Sequence, residues 1–456
     1  MLPYIARHNS ALCTGCGACA QVCPEACITM QRDAEGFAYP HIDADRCTAF
    51  GLCESVCPAS GDWRALHETA SQPTLHAAWH LDDEVRRQSS SGGVFTALAR
   101  AMLDEGGVVY GAGFDDMLQL RHVGITGEEG LTALRGSKYL QSDTGATFRE
   151  AQSHLEARRP VLYSGTPCQI AGLYAFLGNA PAGLVTVDLI CHGVPSPLFF
   201  ERYLDDARGR AGGQVQRVDF RDKRRGWRRF SLSLQTASGA ECSQPLDRDA
   251  FLVGFLRNLC LRPSCHVCPY ACTPRVADIS LGDFWGIGRC HPELDDDQGV
   301  SEVLLNTPQG QQMFEACRDQ LFTRECRLED GMQGNLRTPS VAAPERAAFF
   351  RDLAGLSFDE LHTKYLRPRR RSLARRVASR AKRTVAATLG RLAQHRQAGR
   401  VTRTAQEPLR NRSEVAASRT PVPWCAPACS RLMRSRRSSR ASLACETNSW
   451  RAAVSS

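Results

Sequence analysis

The sequence predicts a mixed α/β protein in three parts: a small α+β cysteine-rich domain, an α/β body with an added β-containing subdomain, and a disordered basic tail. Cysteine, glycine and proline are dense up to about residue 63, and Ser71, Gln72 and Pro73 form the expected linker. Apolar runs and amphipathic stretches then alternate over residues 75–350, as in α/β domains. Arginine, serine and alanine dominate residues 366–456, a composition typical of disorder. A chain of 456 residues has room for two or three compact domains.

Local periodicity locates the elements of the body. Short apolar runs predict buried strands at residues 107–110, 160–163 and 184–190, and amphipathic stretches predict helices at 147–158 and 169–177. Residues 229–236 alternate with period two and predict a β element of the added subdomain. In the tail, residues 372–394 have the composition of a basic helix, whereas Cys425, Cys429 and Cys445 lack nearby partner ligands and are interpreted as incidental.

Net charge changes sign between the body and the tail. The chain has 57 Lys and Arg against 48 Asp and Glu, but 22 of the basic residues and only three of the acidic ones lie from Arg367 onward. The tail therefore carries +19 and the remainder −10. Binding to nucleic acid or an anionic membrane would rest on the tail alone. We do not expect it to be the function, because clustered cysteines indicate metal or redox chemistry.

Two further features favour a cytoplasmic protein. No run of about 18 apolar residues occurs, so a membrane-spanning helix is not expected. The first ten residues lack the apolar stretch of a secretory signal. Thiols stay reduced in the cytoplasm, and the 21 cysteines are therefore interpreted as ligands or redox groups rather than as disulfides.

The strongest local motif is a run of four cysteines followed by proline. It reads Cys13-x2-Cys16-x2-Cys19-x3-Cys23-Pro, and it resembles a bacterial ferredoxin module over residues 8–60. In two-cluster ferredoxins the fourth cysteine of such a run binds the other cluster. That crossed arrangement predicts a complete ligand set for one 4Fe-4S cluster: Cys13, Cys16, Cys19 and Cys57. A zinc knuckle or chance clustering is the alternative.

The second half of the module departs from the symmetrical pattern. It reads Cys47-x5-Cys53-x3-Cys57-Pro, and Phe50 stands where a cysteine is expected. Cys47, Cys53 and Cys23 therefore form an incomplete set of three. The site is expected to hold a three-iron cluster, a four-iron cluster with an outside ligand, or nothing. Cys27 is a spare thiol near enough in sequence to be considered as a replacement.

A serine- and glycine-rich stretch before an amphipathic helix suggests a site for phosphate. Ser91 is the predicted N-cap, and Phe95, Leu98 and Met102 share one face of the predicted helix. Free N–H groups at such a helix start suit an anion, although an ordinary cap is the alternative. The usual nucleotide fingerprints are missing, since Asp116 replaces the third glycine after Gly111-x-Gly113 and no P-loop occurs. An ordinary Rossmann dehydrogenase or P-loop NTPase is therefore disfavoured.

Five segments of the body also carry cysteines or glycines in a distinctive order. The segments SSSGGVFTAL, RGSKYLQS, GTPCQIAGL and VDLICHGVPSP, followed by CHVCPYACTPRVADISLGDFWGI, are similar to those of the family of coenzyme F420 hydrogenase/dehydrogenase beta subunits. The resemblance extends from residue 8 to about 350 and excludes the tail. It implies a ferredoxin-like domain (8–63), a flavin-binding region (75–170) and a region with iron–sulfur ligands (171–350). The basic tail (366–456) is the fourth part of the chain.

The resemblance implies two kinds of cofactor. It implies FAD near the following residues: Ser91, Gly92, Gly93, Thr96, Lys138, Tyr139, Asp278, Gly282 and Asp283. It also implies one more 4Fe-4S cluster in the body, on Cys168, Cys191, Cys265 and Cys268. Cys260 and Cys272 exceed the minimal pattern and could substitute for one of these four.

These cofactors imply an oxidoreductase that relays electrons between ferredoxin-type clusters and FAD. The expected partners are an external electron donor or acceptor protein and a deazaflavin-like coenzyme or another organic substrate, and the chain could belong to an oligomer or complex. His192 is a candidate proton donor, because the ordinary histidine pKa lies near neutrality. Lys138 is a candidate contact to the flavin edge or an anionic substrate. The charged run 220–227 could receive an anion, or be a solvated turn.

Two alternatives stay open on the sequence. One is a stand-alone reductase acting on a sugar, lipid or pigment precursor. The other is a non-catalytic electron-transfer protein that serves a partner enzyme. Bound flavin together with turnover of a small molecule by the isolated chain would separate these possibilities.

Overall fold

A computed structural model describes residues 11–61, 67–70, 72–211 and 213–368. The predicted basic helix at 372–394, the three tail cysteines and the predicted disorder of the tail lie outside these residues, as does Ser71 of the predicted linker. No helix within the described residues combines the length and apolar character that a membrane crossing requires.

The N-terminal lobe, residues 11–61, consists of two short helices and one β-hairpin. Its elements are α1 (Ala18–Val22), β1 (Ile28–Arg32), β2 (Ala38–Ile42) and α2 (Leu52–Ser55). The two strands pair antiparallel, with Ile28 opposite Ile42. Each helix is preceded by a glycine with positive φ, Gly17 before α1 and Gly51 before α2, which turns the backbone sharply beside the cysteines.

An eight-stranded mixed sheet forms the centre of the body, in the order β13-β3-β12-β11-β7-β6-β4-β5. The strands are β3 (Thr74–His80), β4 (Val108–Phe114), β5 (Leu120–Ile125), β6 (Val161–Gly165), β7 (Leu184–Leu189), β11 (Ile279–Asp283), β12 (Ser301–Leu305) and β13 (Leu321–Cys326). Neighbours among β4, β6, β7 and β11 are parallel, and the outer pairs are antiparallel. All three predicted buried strands are confirmed as β4, β6 and β7.

Helices cover both faces of this sheet. They are α3 (Asp83–Gln88), α4 (Val94–Asp104), α5 (Leu131–Leu134), α6 (Thr147–Glu156), α7 (Pro167–Leu177), α10 (Ile287–Cys290), α11 (Pro308–Ala316) and α12 (Leu328–Gly331). The helices predicted at 147–158 and 169–177 are confirmed as α6 and α7. One face of the sheet packs on α4 and α11. The other packs on α6 and α7, and the N-terminal lobe contributes Cys16, Ala18 and Val56 to that same core.

A second, smaller sheet forms the added subdomain. It contains β8 (Val215–Asp222), β9 (Ser231–Thr236) and β10 (Glu241–Pro245), all antiparallel, and β9 confirms the predicted β element. The accompanying helices are α8 (Pro197–Ala211), α9 (Ala250–Leu256), α13 (Arg346–Gly355), α14 (Phe358–Leu361) and a π-helical turn at His362–Leu366. Their aromatic side chains, including Phe199 and Phe251, build the largest core cluster.

The predicted N-cap at Ser91 is wrong. Helix α4 begins at Val94 and is preceded by Gly93 with φ near 90°, so no side chain caps it. The hydroxyl of Ser91 instead donates to the carbonyl of Val300, 2.8 Å away, on the neighbouring chain segment. A tertiary hydrogen bond therefore replaces the local cap that the sequence pattern indicated.

A buried carboxyl on β12 makes stability dependent on pH. Burial raises the pKa of Glu302 to about 8, and the charge of Asp283 contributes to the increase. The folded chain therefore holds a proton that the unfolded chain releases above about pH 4.5, and stability falls as pH rises from that value to about 8. We expect Glu302→Gln to remove a penalty of about 2–4 kcal/mol at pH 8 and almost none at pH 5.

This expectation is tested by thermal unfolding of the full-length chain between pH 5 and pH 8. The difference in midpoint between Glu302→Gln and the parent chain should grow with pH. Glu293→Gln serves as the control, because its parent side chain is largely exposed. A constant difference across that range would contradict the prediction.

Candidate thiol sites and the adjoining cavity

The N-terminal lobe brings four thiols, which we call the first set, around one small cavity. The cavity has a volume of about 30 Å³ and is lined by Cys13, Cys16, Cys19 and Cys57. Three come from the loop and start of α1, and the fourth follows α2 from the other half of the lobe. Burial raises the pKa of Cys16 to about 12, and the nearby Cys13 and Cys57 thiols contribute. Such thiols give up their protons when they bind iron.

A second cavity of about 30 Å³ lies in the other half of the lobe. Four cysteines line it and form the second set: Cys23, Cys27, Cys47 and Cys53. The side chain of Phe50 lies at the rim of this cavity and is 69% exposed. The Sγ atoms of Cys23 and Cys27 are 3.3 Å apart. The structure therefore places Cys27 beside the three thiols that the sequence left incomplete.

The body also brings four thiols together. This body set consists of Cys168, Cys191, Cys265 and Cys268, which lie close enough for their charges to interact. Cys168 lies in the first turn of α7, and Cys191 follows β7. Cys265 lies within a 3-10 turn at Pro263–Val267, and Cys268 immediately follows that turn. Burial raises the pKa of Cys191 well above its ordinary value, and the other three thiols raise it further.

The two extra cysteines of this region have other surroundings. Cys260 is fully buried in the large aromatic core, and its backbone carbonyl accepts from the N–H of Ser196. The Sγ of Cys272 donates to the carbonyl of Pro269 at 3.2 Å. Substitution of one of these two cysteines for a ligand of the body set stays a prediction.

Arg262 lies between the first set and the body set, and the sequence analysis missed it. Its side chain donates to the carbonyls of Cys13 and Ala38, both at 2.8 Å, and one terminal nitrogen is 3.8 Å from the Sγ of Cys13. Burial raises the pKa of both Cys168 and Cys265, and the positive charge of Arg262 opposes that increase. Only its position three residues before Cys265 hinted at a role.

The N-terminal lobe and α7 are also in direct contact. A Cβ atom added to Gly172 would lie 2.9 Å from the Sγ of Cys16, so only glycine fits at this point of the helix. Cys168 occupies the first turn of the same helix. Burial raises the pKa of Tyr270 well above its ordinary value, and thiols of both sets raise it further: Cys168, Cys16, Cys268 and Cys57. The first set and the body set are therefore neighbours across one packed interface.

A cavity of about 680 Å³ opens beside the body set, at the carboxyl ends of β6, β7 and β11. Cys191 lines it, so one member of the body set faces this space. The lining includes most residues of the expected flavin site, together with the candidate proton donor: Ser91, Gly93, Thr96, Lys138, Tyr139, Gly282, Asp283 and His192. The first turn of α4 also lies against it, with its N-terminal dipole end.

Two residues of the expected flavin site lie elsewhere. Gly92 is packed against strands β3 and β12, where its N–H donates to the hydroxyl of Ser301 and a Cβ would overlap the carbonyl oxygen of Ala78. Asp278 precedes β11 and is buried at the opposite end from the cavity. Its carboxylate accepts from Thr186 and Thr307. Neither Gly92 nor Asp278 lines the cavity, and strand β11 separates Asp278 from Asp283. Contact of these two residues with a flavin stays a prediction.

Arg221 organises the wall of the cavity. It is 4% exposed and forms two hydrogen bonds with the carboxylate of Asp283, at 2.8 and 2.9 Å. It also donates to the hydroxyl of Tyr139 at 3.1 Å, and its guanidinium lies 4.0 Å from the ring centre of Phe230. Trp227 donates to Asp283 from the same side. These contacts fix two expected flavin-site residues, Tyr139 and Asp283, through one buried cation.

Two further cations of the charged run 220–227, Lys223 and Arg224, are bonded to other parts of the protein. Lys223 donates to three backbone carbonyls, those of Arg86, Ser91 and Gln298. Arg224 forms ion pairs with Asp222 and Glu241. The run therefore includes an exposed turn at Arg224 and Arg225, whereas Phe220 and Trp227 are buried. Its role as a receptor for anions stays a prediction.

Lys138 and His192 line the cavity but are already engaged. The ammonium of Lys138 donates to the carbonyls at the end of α5, and burial lowers its pKa to about 7. Nε2 of His192 lies 2.7 Å from Oδ1 of Asn258, and burial lowers the pKa of the imidazole. A lowered pKa makes His192 a weaker match to a proton donor at neutral pH. Both roles stay predictions.

Three sequence-family models match the chain. One describes the C terminus of the beta subunit of coenzyme F420 hydrogenase/dehydrogenase, and it matches residues 158–330. The model for the N-terminal part of the same protein matches residues 75–148, and the two together span more than half of the chain. A 4Fe-4S dicluster domain matches residues 12–60, the segment that holds the first and second sets.

Individual relatives are more distant. A subunit of the F420H2 dehydrogenase of Methanosarcina mazei is 24% identical over 345 residues, which cover 71% of this chain and 88% of that protein. Among solved structures, the F420-reducing NiFe hydrogenase complex from Methanosarcina barkeri contains a similar chain. The TM-score is 0.41 at 22% identity, and the match covers 64% of this chain and 90% of the other.

Proposed function

The chain belongs to the family of coenzyme F420 hydrogenase/dehydrogenase beta subunits and carries a ferredoxin-type 4Fe-4S domain, and from this membership we propose that it passes electrons between iron–sulfur clusters and FAD. Clusters exchange single electrons and FAD exchanges pairs, so the two together connect one-electron carriers to hydride chemistry on an organic substrate. The substrate class we favour is a deazaflavin-like coenzyme.

The first set and the body set suit iron–sulfur clusters through their charge as well as their thiols. Arg262 is 1% exposed, and its hydrogen bonds within the described residues go to carbonyl oxygens, the Gln141 amide oxygen and the Cys13 thiol. A buried cation is costly unless a negative charge compensates it. Thiolate-bound clusters would supply that charge on both sides of the guanidinium. The first set would hold one cluster and the body set another.

The large cavity suits FAD in volume and in charge. About 680 Å³ lies within the range of cofactor pockets. Four basic residues line it: Arg135, Lys138, Arg221, which pairs with Asp283, and Arg228, which pairs with Asp295. The first turn of α4 adds free N–H groups of the kind that bind phosphate. Ser91, Gly93 and Thr96 would lie near the phosphates. Tyr139 and Asp283 would be held in place by Arg221.

The observation that carries the proposal is the position of Cys191. It belongs to the body set and also lines the large cavity. The body set in turn adjoins the first set through Gly172 and Tyr270. The thiol sites and the cavity therefore form one continuous series through the protein, from the N-terminal lobe to the carboxyl ends of the sheet.

The test is the cofactor content of the full-length chain after anaerobic purification. We expect one FAD and about twelve irons if all three sites hold four-iron clusters. Cys268→Ser removes a body-set thiol that does not line the cavity, and it should lose about four irons while keeping its flavin. Bleaching of the flavin by a reduced bacterial ferredoxin should then slow by about 100-fold.

The matched control is Cys242→Ser, which changes a cysteine on β10 away from all three sets. It should retain the parental iron, flavin and bleaching rate. Iron confined to one site together with an absence of flavin would contradict the proposal. A Cys268→Ser variant that has lost about four irons but whose flavin is bleached at the parental rate would also contradict the proposal.

A non-catalytic protein that only transfers electrons to a partner enzyme is the second candidate. It is favoured by the relative from Methanosarcina mazei, which is named as one of the subunits of a dehydrogenase. Turnover of a deazaflavin by the isolated chain would decide against this candidate. Reduction of bound flavin without turnover, restored by addition of a partner protein, would favour it.

A further inference from the structure

We propose that Cys27 supplies the fourth thiolate of an iron–sulfur cluster in the second set, in the role that a cysteine at position 50 would otherwise have. This inference rests on the proposed binding of clusters by the N-terminal lobe. It assigns the second site four ligands from the chain itself, namely Cys23, Cys27, Cys47 and Cys53. No outside ligand is then needed, and the site would hold four irons rather than three.

The backbone directs Cys27 toward Cys23. Ala26 has a positive φ of 46°, and its N–H donates to the carbonyl of Cys23 at 3.2 Å. This tight turn brings the two thiols to 3.3 Å from each other. The carbonyl of Cys27 then accepts from the N–H of Asp43 at 2.9 Å, which ties it to the end of β2. The position of the thiol is therefore set by the turn and by the hairpin together.

The surroundings of Cys27 are those of a ligand rather than those of a small core residue. Cys27 is 3% exposed, and the buried residues in its cluster are Ile28 and Cys53. Four further cysteines pack against this small cluster, Cys19, Cys23, Cys47 and Cys57, together with three aliphatic residues, Ala20, Val22 and Ile42. A cysteine that only fills space is usually surrounded by aliphatic and aromatic side chains. Cys27 instead lines a cavity with three other thiols.

Phe50 explains why a substitute is needed. The residues on either side of it, Ala49 and Gly51, both have positive φ, so the loop between Cys47 and Cys53 is sharply curved. Phe50 lies on this loop at the cavity rim, mostly exposed to solvent, and it has no group that can bind iron. Cys27, which immediately precedes β1, lines the same cavity from a different segment of the chain. Its thiolate would thus complete a set that the loop cannot complete.

The experiment uses the full-length chain, reconstituted anaerobically with iron and sulfide. The parent chain should contain about twelve irons and show no three-iron EPR signal when oxidised. Cys27→Ala should either develop the three-iron signal or lose about four irons. Cys27→Ser is the second variant, in case alanine disturbs folding of the hairpin. Cys242→Ala is the control and should match the parent.

A rescue variant separates a ligand from a structural residue. Cys27→Ala combined with Phe50→Cys should regain the parental iron content and lose the three-iron signal, because a thiol returns at the position of the usual ligand. A merely structural role for Cys27 would not be repaired by a cysteine in the opposite loop. Parental iron and EPR spectra in Cys27→Ala, or failure of the rescue, would overturn the assignment.

The same measurements distinguish failure of the role proposed for Cys27 from failure of the proposed function. About eight irons in the parent chain, with the second site vacant or Cys23 and Cys27 joined as a disulfide, would overturn the role of Cys27 and leave the proposed function intact. A parent chain that binds no iron at all would overturn both.

Discussion

Replacing Arg262 with glutamine is expected to lower the reduction potentials of the iron–sulfur clusters that we propose for the first set and the body set. A positive charge favours the more negative, reduced state of a cluster. At 4–6 Å and an effective dielectric constant of about 20, a unit charge contributes about 3–4 kcal/mol. That energy corresponds to roughly 120–180 mV for a one-electron couple. The potential of the cluster in the first set should change most, since a terminal nitrogen of Arg262 lies 3.8 Å from the Sγ of Cys13.

The potentials are measured by redox titration followed by EPR of the full-length chain. Arg262→Lys retains the charge but loses part of the fork that donates to Cys13 and Ala38. The reduction potentials of this variant should therefore stay close to those of the parent chain, whereas the N-terminal lobe should become less stable. Arg318→Gln is the control, because that side chain is half exposed and pairs with Glu315 on the surface. Unchanged potentials in Arg262→Gln would contradict the expectation.

Arg221→Gln is expected to cause the largest loss of stability and to abolish the flavin binding that we propose for the cavity. The substitution leaves the carboxylate of Asp283 without the cation that makes two hydrogen bonds to it. Removal of one partner from a buried ion pair typically costs about 3–5 kcal/mol. It also releases Tyr139 and removes one of the positive charges that line the cavity. Flavin content after anaerobic purification and the thermal midpoint are the two measurements.

A double variant separates the structural effect from the effect on the ligand. Arg221→Gln combined with Asp283→Asn removes both charges, so much of the lost stability should return. Flavin content should remain low, because the cavity would still lack the cation. Arg135→Gln removes another cation that lines the cavity, and its hydrogen bonds go to the neutral side chains of Thr96 and Gln88, so it should reduce flavin affinity without the large loss of stability. Full flavin content in Arg221→Gln would contradict the assignment of the cavity.

Features that depend on neighbours along the chain could be predicted from the amino-acid sequence alone. Strands β4, β6 and β7 and helices α6 and α7 were predictable, because side-chain periodicity reports burial within a few residues. The cysteine spacing around Cys13 was equally informative, since a tight loop must present several thiols from one short segment. The order of the body segments was informative only through a family resemblance, because the positions of Cys168 and Cys191 do not by themselves imply that the thiols meet.

Contacts between residues that are distant in sequence became clear only from the tertiary structure. It separated Asp278 from Asp283, because a five-residue strand carries its two ends to opposite edges of the sheet. It replaced the expected cap at Ser91 by a contact with Val300, and it brought Cys27 into the second set through a turn and a hairpin. Arg262 and Arg221 acquire their importance from groups more than 60 residues away in sequence. Burial and charge at such contacts are properties of the packed chain, and spacing along the sequence does not determine them.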